Sequence, residues 1–148
     1  MTNKFFKTNN YGYLVGEISD NVFHKHYAVQ VVVSLTNNIE VQFISDQVQS
    51  PLQIIQSMHT HKLNCKGQQV LILLINPISN LGHILNKHNQ KLSQQSDWGS
   101  RMRKLAQSWQ TKKINDIEFK IALERILQDF VNLNINCLKH SDKRILTD

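Results

Sequence analysis

The sequence predicts a mainly β protein with C-terminal α-helices: a small barrel or sandwich of short strands followed by a helical segment packed on it. Three observations carry this. Before Pro77 the chain is a series of short runs rich in Val, Ile, Leu and aromatic residues. After Pro77 apolar residues recur at helical spacing. The whole chain is 148 residues, 41% hydrophobic and 19% charged, which suits one compact domain with its own core.

The strand runs are Tyr11–Ile18, Tyr27–Thr36, Ile39–Ile44, Leu52–Met58, His61–Cys65 and Gln69–Ile75. Their regular spacing suggests a sandwich or barrel rather than parallel βαβ units. Asn37-Asn38 reads as a tight turn, because Asn tolerates positive φ, and Lys66-Gly67 as another. Parity makes the second run informative. His26, Ala28, Gln30, Val32 and Ser34 fall on one face; Tyr27, Val29, Val31, Val33 and Leu35 fall on the other. The second face is apolar throughout and must be covered. The first is mixed and partly polar, as a barrel interior that holds a ligand would be. The run Gln69–Ile75 is apolar on both faces and reads as a central strand.

The helical half begins near Ser79, with Leu81, Ile84, Leu85 and Leu92 at helical spacing. A second helix starts at Ser96-Asp97 and runs to about Gln110, carrying Trp98, Met102, Leu105, Ala106 and Trp109 along one stripe. Trp98, Met102, Leu105 and Trp109 are the expected dimer interface. Asn115 and Glu118 form a capping box for a third helix, whose apolar positions include Ile117, Ile121, Ile126, Leu127 and Phe130. Residues 132–136 read as a break, and Ser141-Asp142 as the cap of a further helix. The expected organisation is therefore a barrel over residues 1–76, a helical dimerisation segment over 77–140, and the start of a further domain or linker over 141–148.

Composition excludes several classes. The longest apolar run, Val70 to Ile75, is too short to span a bilayer, and the start lacks the pattern of a signal peptide. Two distant cysteines, Cys65 and Cys137, make neither a disulfide framework nor a zinc site, so a cytoplasmic location is expected. No G-x-S-x-G elbow, phosphate loop or paired carboxylates are present. The net charge is +6. It is concentrated: residues 1–76 carry +1, residues 77–113 carry +6 and residues 114–148 carry −1. The densest cluster, Arg101, Arg103, Lys104, Lys112 and Lys113, reads as a solvated helix face without a groove-reading motif.

Histidines supply the candidate site. His24 and His26 form one H-x-H pair beside a strand, with Gln30 on the same face; His59 and His61 form a second. Imidazole nitrogens from two such pairs can ligate Zn, Fe, Ni or Mn. No carboxylate accompanies the first pair, because Gln30 is neutral. Hydrogen bonding to a polar ligand is therefore the expected role of His24, His26, Gln30 and His61, with Ser34 a further lining residue. No metal and no cofactor is assigned.

The stretch Phe23-His24-Lys25-His26-Tyr27-Ala28-Val29-Gln30-Val31-Val32-Val33 resembles the N-terminal sensor domain of AraC/XylS-family transcription regulators. Three further stretches fit in order. Ile54–Leu63 resembles the strand ending in the second-motif histidine, here His61. Val70–Gly82 resembles the strand, Asp-Pro-x-Ser turn and helix of that family, with Asn76 at the Asp position. Ser141-Asp142-Lys143-Arg144-Ile145 resembles the segment that opens the DNA-binding half. Gln30 stands where metal-binding cupins have glutamate, and Thr60 where proline is usual.

The resemblance implies a cupin-like jelly-roll barrel and no enzymatic activity. It implies a small-molecule effector in the barrel, a homodimer, and DNA contact only through a helix-turn-helix domain missing from this sequence. The alternative is a stand-alone cupin metalloenzyme with an ion on His24, His26 and His61.

Overall fold

A computed structural model describes residues 4–20, 22–93 and 96–134. Eight strands precede three helices: β1 (Lys4–Lys7), β2 (Tyr11–Gly16), β3 (Val29–Ser34), β4 (Ile39–Phe43), β5 (Gln47–Ser50), β6 (Leu52–Ile55), β7 (His61–Asn64), β8 (Val70–Ile75), α1 (Asn80–Ser93), α2 (Ser96–Gln110) and α3 (Asp116–Leu133). They form two antiparallel sheets, one of five strands in the order β1-β2-β8-β3-β6 and one of three in the order β5-β4-β7. β8 is central, pairing with β2 and β3, which explains its apolar character on both faces.

The strands are not closed into the expected barrel. The chain passes from the three-stranded sheet to the five-stranded one at Ser50-Pro51-Leu52, between β5 and β6. Pro51 has no N–H to continue a ladder. Its carbonyl instead accepts from Ser34 N at 2.8 Å, and the Ser50 hydroxyl folds onto Leu52. The result is an open sandwich. The Asn37-Asn38 turn is also corrected. It joins β3 to β4 in different sheets, and neither Asn has positive φ. Gln68 holds this link, accepting from Asn37 N at 2.9 Å and donating to Asn38 O at 2.9 Å. Lys66-Gly67 is a turn as expected, with φ values of 54° and 75°.

The two faces of β3 are spent as parity requires. Val32 joins Ile55, Val70 and Ile72 against Ile39, Val41, Leu63 and Cys65 between the sheets. Val29, Val31 and Val33 lie on the outer face of the large sheet, in one core with the helices. Each fully buried Val, Leu or Ile contributes about 1.5–3 kcal/mol.

The α2 stripe enters that core. Trp98, Met102 and Trp109 are buried in the chain's own interior, and Leu105 is half-buried. Trp109 stacks on Phe119 of α3 at 4.0 Å between centroids, and its indole N–H donates to Asp116 at 2.8 Å. The stripe thus faces inward and leaves Trp98, Met102 and Trp109 no surface for a second subunit. On α3 the buried residues are Phe119, Leu123, Ile126, Leu127 and Phe130, whereas Ile117 and Ile121 are exposed. The capping box of Asn115 and Glu118 forms as read. Arg103, one of the basic cluster, donates to Ser34 O at 2.9 Å and ties α2 to the end of β3.

β1 and β5 were not expected. Both are four-residue edge strands with little apolar patterning, a length and position that periodicity does not register. The helix expected from Ser141 and the cysteine Cys137 lie outside the described residues. Among the described residues, no helix is long and apolar enough to cross a membrane.

Candidate functional site

The site begins with a two-hydrogen-bond bridge. The segment after β2 runs beside β7: Asp20 N donates to Leu63 O at 2.9 Å, His24 N to His61 O at 3.0 Å, and His61 N to His24 O at 2.8 Å. This sets the His24 ring against the His61 ring, 4.5 Å between centroids. His26 reaches the same point from the approach to β3, 5.1 Å from His61 and 5.7 Å from His24. One ring nitrogen from each of His24, His26 and His61 lies within 4.8 Å of the other two.

Backbone carbonyls set the direction of all three rings. His24 Nδ1 donates to Val22 O at 3.2 Å, His26 Nδ1 to Ala28 O at 2.9 Å, and His61 Nδ1 to His59 O at 2.8 Å. A carbonyl only accepts, so each Nδ1 carries the hydrogen. In neutral imidazole each Nε2 is then a bare lone pair. His61 Nε2 is buried and, among the described residues, has no hydrogen-bond partner. Burial, the largest cause, lowers the His61 pKa; the neighbouring His24 and His26 lower it further, while the His59 carbonyl and Asp20 oppose. His61 is thereby favoured as the neutral ring.

Gln30 is buried behind the triad, its side-chain oxygen 2.7 Å from His26 Nε2. Two acceptors at that distance need a cation between them or an amide turned to offer its N–H. Ser34 is not at the site. It lies four residues along β3, where its hydroxyl donates to Gln68.

His59 also stays outside. Its ring stacks on Phe43 at 4.4 Å and only its carbonyl serves His61. The second H-x-H pair therefore supplies one ring to the site.

Residues outside the motifs hold the site in place. Met58 N donates to His26 O at 2.8 Å, with Met58 at φ 61°. Asn86 of α1 accepts from Ser57 N at 2.9 Å through its side chain and from Gln56 Nε2 at 2.8 Å through its carbonyl. The loop between β6 and β7 is thus pinned to a helix, although nothing in the spacing of Asn86 signals it.

The donor set fits a transition ion. Three imidazole nitrogens suit Zn, Cu, Fe or Ni, and backbone carbonyls on the far nitrogens are the usual outer support of such ligands. Tetrahedral Zn–N bonds of about 2.1 Å place ligand nitrogens about 3.4 Å apart, so nitrogens that lie within 4.8 Å of one another close by up to about 1.4 Å on an ion. The expected ligand pocket between the sheets is occupied by apolar side chains. Cavities of about 580 and 530 Å³ lie instead on the helical side, the first between α2 and α3 and the second beside Tyr11 and α1.

No family model matches the chain, and no curated protein sequence is similar to it. Solved structures with a partial likeness include a cupin-2 domain protein from Shewanella frigidimarina. It is 15% identical, with a TM-score of 0.44 over 50% of this chain and 79% of that one. An rmlc-like cupin protein from Desulfovibrio desulfuricans is 11% identical, with a TM-score of 0.41 over 51% of this chain and 81% of that one. A DMSP lyase from Ruegeria pomeroyi is 15% identical, with a TM-score of 0.41 over 53% of this chain and 48% of that one.

Proposed function

We propose that the chain is a cupin-like small-molecule sensor domain built around a metal ion held by His24, His26 and His61. One observation carries the metal: three imidazoles whose Nδ1 atoms are each held by a backbone carbonyl, leaving three converging Nε2 lone pairs, one of them buried without a partner. A hydrogen-bonding role alone leaves His61 Nε2 unexplained. When bound, the ion supplies a Lewis-acid centre with open positions for a small oxygen-donor ligand. Protein purified without an affinity tag and analysed for metals tests this. About one equivalent of a transition metal, lost in H61A, supports it; a metal-free chain that also refuses added zinc, nickel and iron overturns it.

The regulatory role is supported by the AraC/XylS resemblance in four ordered stretches and by the helices packed on the large sheet. In this reading the effector acts through different affinities for two arrangements of an attached DNA-binding domain. The domain pairs as a homodimer through surface other than the buried α2 stripe, and Ile117 and Ile121 of α3 are exposed for it. Light scattering at high micromolar concentration decides that point, with a monomer counting against it.

The second reading is a metalloenzyme. It is favoured by the half-exposed position of His24, which leaves the triad reachable from solvent. Turnover of a small molecule by the metal-loaded chain, abolished in H26A, would place it first.

A further inference from the structure

The three imidazoles are neutral ligands, and Gln30 adds no charge beside them. A carboxylate stands close by from another part of the chain. Asp20 Oδ2 is 3.6 Å from His24 Nε2. Because His24 Nδ1 donates to Val22 O, the nitrogen that faces Asp20 is Nε2, which in the neutral ring is a lone pair. A lone pair and a carboxylate facing each other repel unless a cation lies between them, either a proton on His24 or a metal ion.

We propose that Asp20 is the carboxylate ligand of this centre, completing a three-histidine, one-aspartate set around a divalent transition ion. This rests on the triad being a metal site. The mutually close set is the three imidazoles alone, so Asp20 joins by turning about its two side-chain torsions. Among the described residues little opposes the turn: the carboxylate accepts a long bond from Leu63 N at 3.3 Å, and the side chain is 28% exposed. Its backbone stays fixed, because Asp20 N donates to Leu63 O at 2.9 Å, beside the strand that carries His61. The centre thus takes its charge from the segment before His24, and the neutral Gln30, 2.7 Å from His26 Nε2 here, yields that nitrogen to the ion.

The test is zinc affinity of the untagged full chain, by competition with a chromophoric chelator, for wild type, D20N and the D20N/Q30E double variant. Wild-type binding with a loss of at least about tenfold in D20N, recovered in part when Q30E returns a carboxylate, supports the proposal. Wild-type binding with D20N unchanged overturns it while leaving the three-histidine centre standing. Failure of the wild type to bind any zinc overturns the metal reading and this proposal together. If D20N does not fold, the infrared difference spectrum of the wild type decides. Zinc loading must shift a carboxylate stretch in the infrared difference spectrum, and a difference spectrum with imidazole bands alone overturns the assignment.

Discussion

His24 and His61 exchange two backbone hydrogen bonds, of 3.0 and 2.8 Å, and their rings meet at 4.5 Å between centroids. This bridge ties the segment between β2 and β3 to the first residue of β7, and it falls at the candidate site. It turns residues 37 positions apart in sequence into neighbours on one ion-sized space.

The first prediction concerns the rings. H24A, H26A and H61A should each weaken zinc binding by more than about a hundredfold, since each removes a ligand rather than a support. H59A should leave affinity within about threefold, because His59 contributes only its carbonyl to the site. Calorimetric titration of the four variants checks the contrast; an H59A loss as large as that of H61A would refute the assignment.

Asn86 links α1 to the loop that leads into β7. N86A removes the acceptor of Ser57 N and should cost about 1 kcal/mol in urea unfolding. It should also lower zinc affinity several-fold while leaving the ligands unchanged, which a titration at fixed pH reads directly. Unchanged affinity would show that the loop holds itself.

Gly82 is required by contact. A Cβ there would lie 2.1 Å from Asn76 O, because α1 starts hard against the Asn76-Pro77-Ile78-Ser79 turn. Asn76 builds that turn by accepting from Ile78 N and from the Ser79 hydroxyl, and Ser79 in turn accepts from Gly82 N. G82A should destabilise by about 2 kcal/mol or more, although alanine favours a helix elsewhere. A thermal melt as high as wild type would contradict this packing.

Burial raises the Cys65 thiol from 9.0 to about 11; the charges of Asp20 and Glu17 add to this, while hydrogen bonds to Ile18 and Ser19 oppose it. The folded pKa lies above the unfolded one. The associated stability is therefore complete below pH 9 and is lost as pH rises from 9 toward 11. In a C137S chain, Cys65 should react with a disulfide reagent at pH 8 at least about a hundredfold more slowly than in denaturant. Stopped-flow labelling against pH measures both effects, and rapid native labelling would show that the thiol is not shielded.

Trp109 is a core residue between sheet and helices, contacting Phe6, Tyr13 and Phe119. W109A should cost about 3–5 kcal/mol in unfolding, by the same amount at every protein concentration. A cost that grows on dilution would mean that Trp109 serves a subunit contact.

Much of the architecture was legible in the sequence because periodicity is local. The alternation in Val29–Val33 determined that one face of β3 needed covering, and the spacing after Pro77 determined where the helices run. Asn115 and Glu118 announced their helix, since a capping box is complete within four residues. Histidine identity and spacing named His24, His26 and His61 as candidates. What covers each face was not legible. Trp98, Met102 and Trp109 make an apolar stripe whether it meets a partner or the chain's own sheet, and only the packing of α2 on β3 and α3 decides for the interior. The open sandwich is likewise a tertiary result, in which the chain crosses at Pro51 from one sheet to the other. So is the convergence of three rings. Which nitrogen each His turns inward depends on carbonyls at Val22, Ala28 and His59, and the nearness of Asp20 depends on a bridge to β7. Residue types were enough to suggest the chemistry, but distances between segments far apart in sequence are set only when the chain folds.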